Sequence, residues 1–173
     1  SRTYSFVDIF HVLIHKTMLE NNIRAVQKSD VEKLKIVIET SKLFPPDLLE
    51  GMMSEYFENL ETQDIWLTKS INNQLVAIAY CAPEKLTDGT YNLYLIAVHK
   101  DFQGVGIGGE LIYYIENLLQ SRGKRILLVE TSSLPEFELT RRFYDKCGYI
   151  REAIIRDFYH NGEDKVVFFK KLI

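Results

Sequence analysis

Ile96-Ala97-Val98-His99-Lys100-Asp101-Phe102-Gln103-Gly104-Val105-Gly106-Ile107-Gly108-Gly109-Glu110-Leu111 is the stretch from which the rest of the chain can be ordered. Tyr91 to Val98 reads as a strand, and a loop, His99 to Gln103, carries it into glycines. Four of the chain's nine glycines fall between Gly104 and Gly109. A helix follows, from about Gly106 to Arg122, with Leu111, Ile112, Ile115, Leu118 and Leu119 as its apolar stripe and Gly123 as its cap. A strand that turns through glycines into a helix makes an anion site. Glycines admit close backbone approach, the first N–H groups are free, and the helix dipole favours negative charge. The expected ligand is a phosphate or pyrophosphate. A tight turn packed for its own sake needs one or two glycines, not four.

Two phosphate-binding patterns can be compared with this loop. A P-loop needs Lys and then Ser or Thr after its last glycine, and here Gly109 is followed by Glu110 and Leu111. The dinucleotide pattern GxGxxG is met by Gly104, Gly106 and Gly109, and Glu130 stands about twenty residues on, where a ribose-binding acid belongs. Against it, five residues separate Val98 from Gly104, and too little chain follows for the second half of a doubly wound sheet. An NAD(P)-binding domain therefore stays as a minor alternative.

Outward from the loop, Arg125 to Val129 is a nearly continuous apolar run, as a buried parallel strand requires. The crossover that joins it to the preceding strand is about thirty residues long. Upstream, Ile23 to Val26, Ile65 to Lys69 and Leu75 to Ala82 read as strands, with Asn72-Asn73 and Asp88-Gly89 as turns. Ser29 and Asp30 offer N-caps for a helix to about Thr40, and Pro45-Pro46-Asp47 starts another to about Asn59. Downstream, Pro135 opens a helix to about Cys147, ended by Gly148; Ile150 to Phe158 and Lys165 to Leu172 make a closing hairpin around His160-Asn161-Gly162. The expected fold is α/β: a mixed, mostly antiparallel central sheet with helices on both faces.

Composition narrows the function. The 173 residues suit one domain, with a net charge of −3 that gives no basic footprint for nucleic acid. No apolar run reaches the length of a membrane span. Cys81 and Cys147 stand far apart and read as reduced packing residues of a cytoplasmic protein, and the scattered histidines predict no metal site. Residues 1–22 form an N-terminal extension ahead of a single domain, 23–173. Phe6, Ile9, Phe10, Leu13 and Ile14 recur at helical spacing, while Asp8, His11 and His15 break the apolar run that a signal peptide needs. A helix there would pack on the domain or on a second chain, so a homodimer is one expected arrangement.

Taken whole, Ile96 to Leu111 resembles motif A of the GNAT superfamily of N-acetyltransferases. The family pattern, Gln or Arg, two residues, Gly, one residue, then Gly or Ala, falls on Gln103, Gly106 and Gly108. Phe143-Tyr144-Asp145-Lys146-Cys147-Gly148-Tyr149 is similar to motif B, and the resemblance runs from about Ile23 to the C-terminus. It implies a GNAT fold whose two parallel strands splay apart near Val98 and Glu130, at the CoA site. It implies acetyl-CoA as cosubstrate, no metal, and direct transfer to an amine through a tetrahedral intermediate. The implied cofactor-binding residues are Ile96, Ala97 and Val98, which pair with pantetheine, and Gln103, Gly104, Val105, Gly106, Ile107, Gly108 and Gly109 at the pyrophosphate. A backbone N–H near Val98 is the implied oxyanion donor.

Tyr144 matches the family tyrosine that protonates the departing thiolate. Glu130, at the end of a buried strand beside the opening, is the first candidate for the base; its structural alternative is a carboxylate that holds the Thr131–Ser133 backbone. Tyr94 and His99 are weaker candidates, and His99 reads as a surface histidine. Thr131-Ser132-Ser133 replaces an asparagine that often contacts pantetheine in the family. Arg141, Arg142 and Lys146 read as solvated charges within reach of the nucleotide phosphates. The acceptor is expected to be a small-molecule or peptide amine, in a pocket built by about Ile36 to Asn59, where Phe44, Pro45, Met52, Tyr56 and Phe57 are apolar, and by the closing hairpin. A non-catalytic acyl-CoA-binding module is the alternative.

Overall fold

The structure, a computed structural model, describes residues 22–173. Apart from Asn22, the N-terminal extension expected over residues 1–22 lies outside them. Seven strands, β1 (Ile23–Ala25), β2 (Ile65–Ile71), β3 (Gln74–Pro83), β4 (Thr90–Val98), β5 (Ile126–Ser132), β6 (Ile150–His160) and β7 (Glu163–Lys171), form one sheet in the order β1-β2-β3-β4-β5-β7-β6. Four α-helices accompany them among the described residues: α1 (Val31–Ser41), α2 (Leu48–Glu58), α3 (Ile107–Ser121) and α4 (Glu138–Lys146). Among the described residues only β4 and β5 pair in parallel, joined by the α3 crossover. The sheet is therefore mixed and mostly antiparallel, and the doubly wound sheet of a dinucleotide-binding domain is not formed. The β2–β3 turn is set by Asn72 and Asn73, both with positive φ (49° and 63°), the conformation that two-residue hairpin loops favour.

Each face of the sheet carries two helices. On one face, Leu34 and Ile38 of α1 and Leu49 and Met53 of α2 pack against Trp66, Ile78 and Leu95. On the other, Leu111, Ile115 and Leu119 of α3 and Tyr144 of α4 pack against Leu127, Val129 and Phe168. Burying each such aliphatic side chain contributes roughly 1.5–3 kcal/mol.

One irregularity in β4 shapes the site. Against β3, Tyr80 lies opposite Leu95 and Cys81 opposite Leu93, so Tyr94 is an extra residue, a β-bulge. The bulge reverses the alternation of the strand. Tyr91 and Leu93 belong to the α3/α4 core, whereas Leu95 and Ala97 belong to the α1/α2 core. A bulge also bends its strand, and the β4–β5 pairing runs from Thr90 opposite Ile126 to Leu93 opposite Val129 and stops there. The remainder of β4, Tyr94 to Val98, keeps β3 on one side and, among the described residues, has no strand on the other. This is the splayed parallel pair expected of the fold.

Two helix starts differ from expectation. Asp30 and Ser29 do not cap α1 with their side chains: a 3₁₀ turn, Lys28–Asp30, precedes it. The Asp30 carboxylate instead accepts from both Arg24 guanidinium nitrogens (2.7 and 2.9 Å) and from Gln27 N (2.8 Å), tying β1 to the helix start. Pro135 likewise opens a 3₁₀ turn, Pro135–Phe137, before α4 begins at Glu138.

Candidate active site

After Val98 the chain makes a 3₁₀ turn, Lys100–Phe102, and enters the glycine loop. Gln103 folds back, its Nε2 donating to Val98 O at 2.9 Å, and so fixes the loop to the strand end. The four glycines have separate reasons. Gly104 and Gly106 have φ of 78° and 95°, in the left-handed region that side chains resist. Gly108 has no such need, but a Cβ there would lie 3.2 Å from the Phe143 ring, so it lets α3 approach α4. At Gly109 a Cβ would meet nothing within 4 Å among the described residues. Four consecutive N–H groups, Gly106 to Gly109, find no acceptor among the described residues, and Glu110 N is the first to bond back, to Gly106 O. They are the free donors at the start of a 15-residue helix, where the dipole is positive.

These amides open onto a cavity of about 640 Å³ between the loop, the open end of β4 and α4. Ile96 and Val98 line it from β4, Gln103, Gly104, Gly106, Ile107, Gly108 and Gly109 from the loop, and Phe143, Tyr144 and Lys146 from α4. Two expected residues lie apart by their side chains. Ala97 points into the α1/α2 core, because the strand alternates, and Val105 is exposed without lining the cavity.

Tyr144 is 4% exposed, with Phe143, Tyr149 and Phe168 around its ring at 5.2, 6.0 and 5.3 Å. Burial pushes its phenol well above the ordinary range, so it stays protonated through neutral pH. Glu130 is half-buried at the end of β5, where Oε2 lies 3.1 Å from Lys165 Nζ of β7. Its partner is thus a side chain rather than the Thr131–Ser133 backbone. That backbone is held elsewhere: Ser133 N donates to Asp164 O, and the Ser132 and Ser133 hydroxyls accept from Leu134 N and Asp164 N.

Two polar residues, His99 and Arg141, are not the surface groups that their sequence context suggests. His99 is 7% exposed; its Nδ1 accepts from Asp101 N at 3.2 Å, capping the 3₁₀ turn, and its ring meets Phe102 edge-on. Arg141 is 6% exposed and donates to Ser132 O, Leu134 O and Glu138, clamping the β5 end to α4. Adjacent arginines on a helix, Arg141 and Arg142, gave no sign of that clamp. Tyr94 donates to Glu84 Oε1 at 2.9 Å, and so does Asn92 Nδ2 at 2.9 Å, a cluster that sequence reading missed because Glu84 follows the strand terminator Pro83. Arg142 is exposed and pairs with Glu138, whereas Lys146 lines the cavity. Phe44, Tyr56 and Phe57 pack against the α1/α2 core, and Met52 is exposed. Cys81 and Cys147 are free thiols. Among the described residues no cluster of potential metal ligands occurs, and no helix is long and apolar enough to cross a membrane.

The profile of the acetyltransferase (GNAT) domain matches residues 62–151, more than half of the chain. An uncharacterized N-acetyltransferase of Methanocaldococcus jannaschii is 31% identical over 86 residues, 48% of this chain and 53% of that protein. The chain thus spans about half the length of this curated relative. Among solved structures, a GNAT-family protein from Desulfovibrio desulfuricans superposes with a TM-score of 0.82 at 27% identity, covering 87% of this chain and 98% of the other. A Bacillus subtilis acetyltransferase in complex with CoA shares the fold, with a TM-score of 0.68 at 18% identity and coverage of 89% and 100%.

Proposed function

Because the chain belongs to the GNAT acetyltransferase family, we propose that it transfers an acetyl group from acetyl-CoA to a primary amine. The observation that carries this reading is the meeting, on one cavity, of unpartnered helix-start amides, a half-strand open along one edge, and a buried tyrosine. In this reading the Gln103–Gly109 loop holds the pyrophosphate, with Lys146 as an added cation. The open edge of β4 pairs with the pantetheine arm as a further strand would, through the backbone of Ile96 and Val98, while Ala97 between them turns its own N–H and C=O toward Ile78 of β3. The thioester then lies where β4 and β5 diverge.

The residues divide the proton traffic. The amine nitrogen bonds to the thioester carbon, the carbonyl π electrons move onto oxygen, and an N–H near Val98 faces that oxyanion. As the carbonyl reforms, the C–S bond breaks and its electrons leave on sulfur. Tyr144, kept protonated by burial, supplies the O–H that stabilises this sulfur. Glu130 receives the proton that the nitrogen loses. The test is release of CoA thiol from acetyl-CoA across a panel of primary amines. Release that depends on an amine supports transfer. Tight acetyl-CoA binding with no amine-dependent release from any member would mean a CoA-binding module without catalysis.

A further inference from the structure

The α1/α2 face of the splay holds a carboxylate without a counter-ion. Glu84 is half-buried just beyond β3, and its Oε1 accepts from two neutral donors, the Tyr94 phenol and the Asn92 amide. Among the described residues it forms no ion pair, whereas Glu130 has Lys165. Neutral donors orient a carboxylate but leave its charge in place. Asn92 adds an independent sign. It is 1% exposed, its Nδ2 is spent on Glu84, and its Oδ1 is buried without a donor among the described residues. A buried oxygen of this kind is costly unless something donates to it.

The position is fixed by the strands. Asn92 lies opposite Leu128 at the last paired stretch of β4 and β5, so the same register carries Tyr94 toward Glu130, where the strands part. Both carboxylates act on the Tyr94 phenol, which burial first, then Glu84 and Glu130, push up to about 12. Tyr94 is 51% exposed, and behind it Tyr80 and Trp66 continue a wall of rings, with centroids 5.7 and 4.1 Å apart in turn. An unpaired carboxylate, a donor-seeking amide oxygen and the exposed ring of Tyr94 together suit a cation that carries N–H groups.

We propose that Glu84, held by Tyr94 and Asn92, binds a second cationic group of the acceptor, so that the preferred acceptor is an amine carrying another positive charge. This rests on the transferase reading for the reacting amine but makes its own claim about Glu84. Calorimetry on CoA-loaded protein with α,ω-diaminoalkanes and n-alkylamines of matched length tests it. At least one diamine should bind about tenfold more tightly than its monoamine, the size expected for a hydrogen-bonded charge. Glu84→Gln keeps an oxygen for Tyr94 and Asn92 while removing the charge, and should erase that preference. Equal affinities within every matched pair, or a preference that survives Glu84→Gln, overturns the proposal. A Glu84-dependent preference in protein that takes up no CoA would keep the cation site and overturn the transferase reading instead.

Discussion

The two flanks of β4 at its open end are built from different materials. Toward α3 and α4 the groups on offer are mainly backbone amides and apolar side chains, with Tyr144 and Lys146 of α4 beside them. Toward α1 and α2 they are two carboxylates, an amide and a phenol, drawn from Glu84, Glu130, Asn92 and Tyr94. A flank made of backbone is written compactly, because a run of glycines and one helix start suffice. A flank made of side chains depends on strand register, which brings together residues far apart in sequence.

That difference makes the effects separable, and Gly106→Asp should produce the largest. It forces a side chain into a φ of 95° and sets a negative charge among the free amides, so CoA binding should be lost while acceptor binding persists. A folded Gly106→Asp variant that still bound CoA normally would break the comparison at its donor side. Tyr144→Phe removes only the O–H and should lower kcat by about ten- to a thousandfold with acetyl-CoA affinity kept. An unchanged kcat would take Tyr144 out of the mechanism.

Glu130→Gln retains an acceptor for Lys165 and should lower kcat by about tenfold or more at neutral pH, with recovery at high pH, where the amine loses its proton unaided. The same kcat at every pH would leave Glu130 a purely structural partner of Lys165. Gly109→Ala is the mildest change on the donor flank. Among the described residues nothing lies within 4 Å of the new methyl, and helix propensity favours it by about 1 kcal/mol. The variant should melt higher without ligand yet gain less from CoA, and an undiminished gain would mean that the cofactor does not approach Gly109.

Asp30 offers a control away from both flanks. Hydrogen bonds from Arg24, and then from Gln27 N, hold its carboxyl below the usual range. Its folded value is therefore lower than its unfolded one, and its contribution is present at neutral pH and lost as the pH falls below about 4. Asp30→Asn should melt lower at neutral pH and show a shallower loss of stability on acidification, with acetyl-CoA affinity unaltered. Parallel acid profiles for the variant and the wild type would contradict this.

Legibility in the sequence followed the same division. The glycine spacing, the α3 stripe and the turn residues located the helices and strands to within a few positions, because each rests on local chemistry. The Tyr94 bulge was not legible: Tyr91 to Val98 looks like a plain strand until β3 sets Tyr80 against Leu95 and Cys81 against Leu93. His99 and Arg141 were read as surface groups because their carbonyl, amide and ring partners are supplied by the folded loop and by the end of β5. Glu84 gave no signal at all, since its role depends on two residues of the neighbouring strand.

The measurement closest to the central claim is thermal unfolding with acetyl-CoA, CoA, NAD and NADP at matched concentrations. A ligand at about a hundred times its Kd adds about 2.7 kcal/mol, a shift of several degrees in a domain of this size. The account predicts that shift for acetyl-CoA and CoA in the wild type, its loss in Gly106→Asp, and none with NAD or NADP. A shift with NAD or NADP and none with the CoA compounds would contradict it.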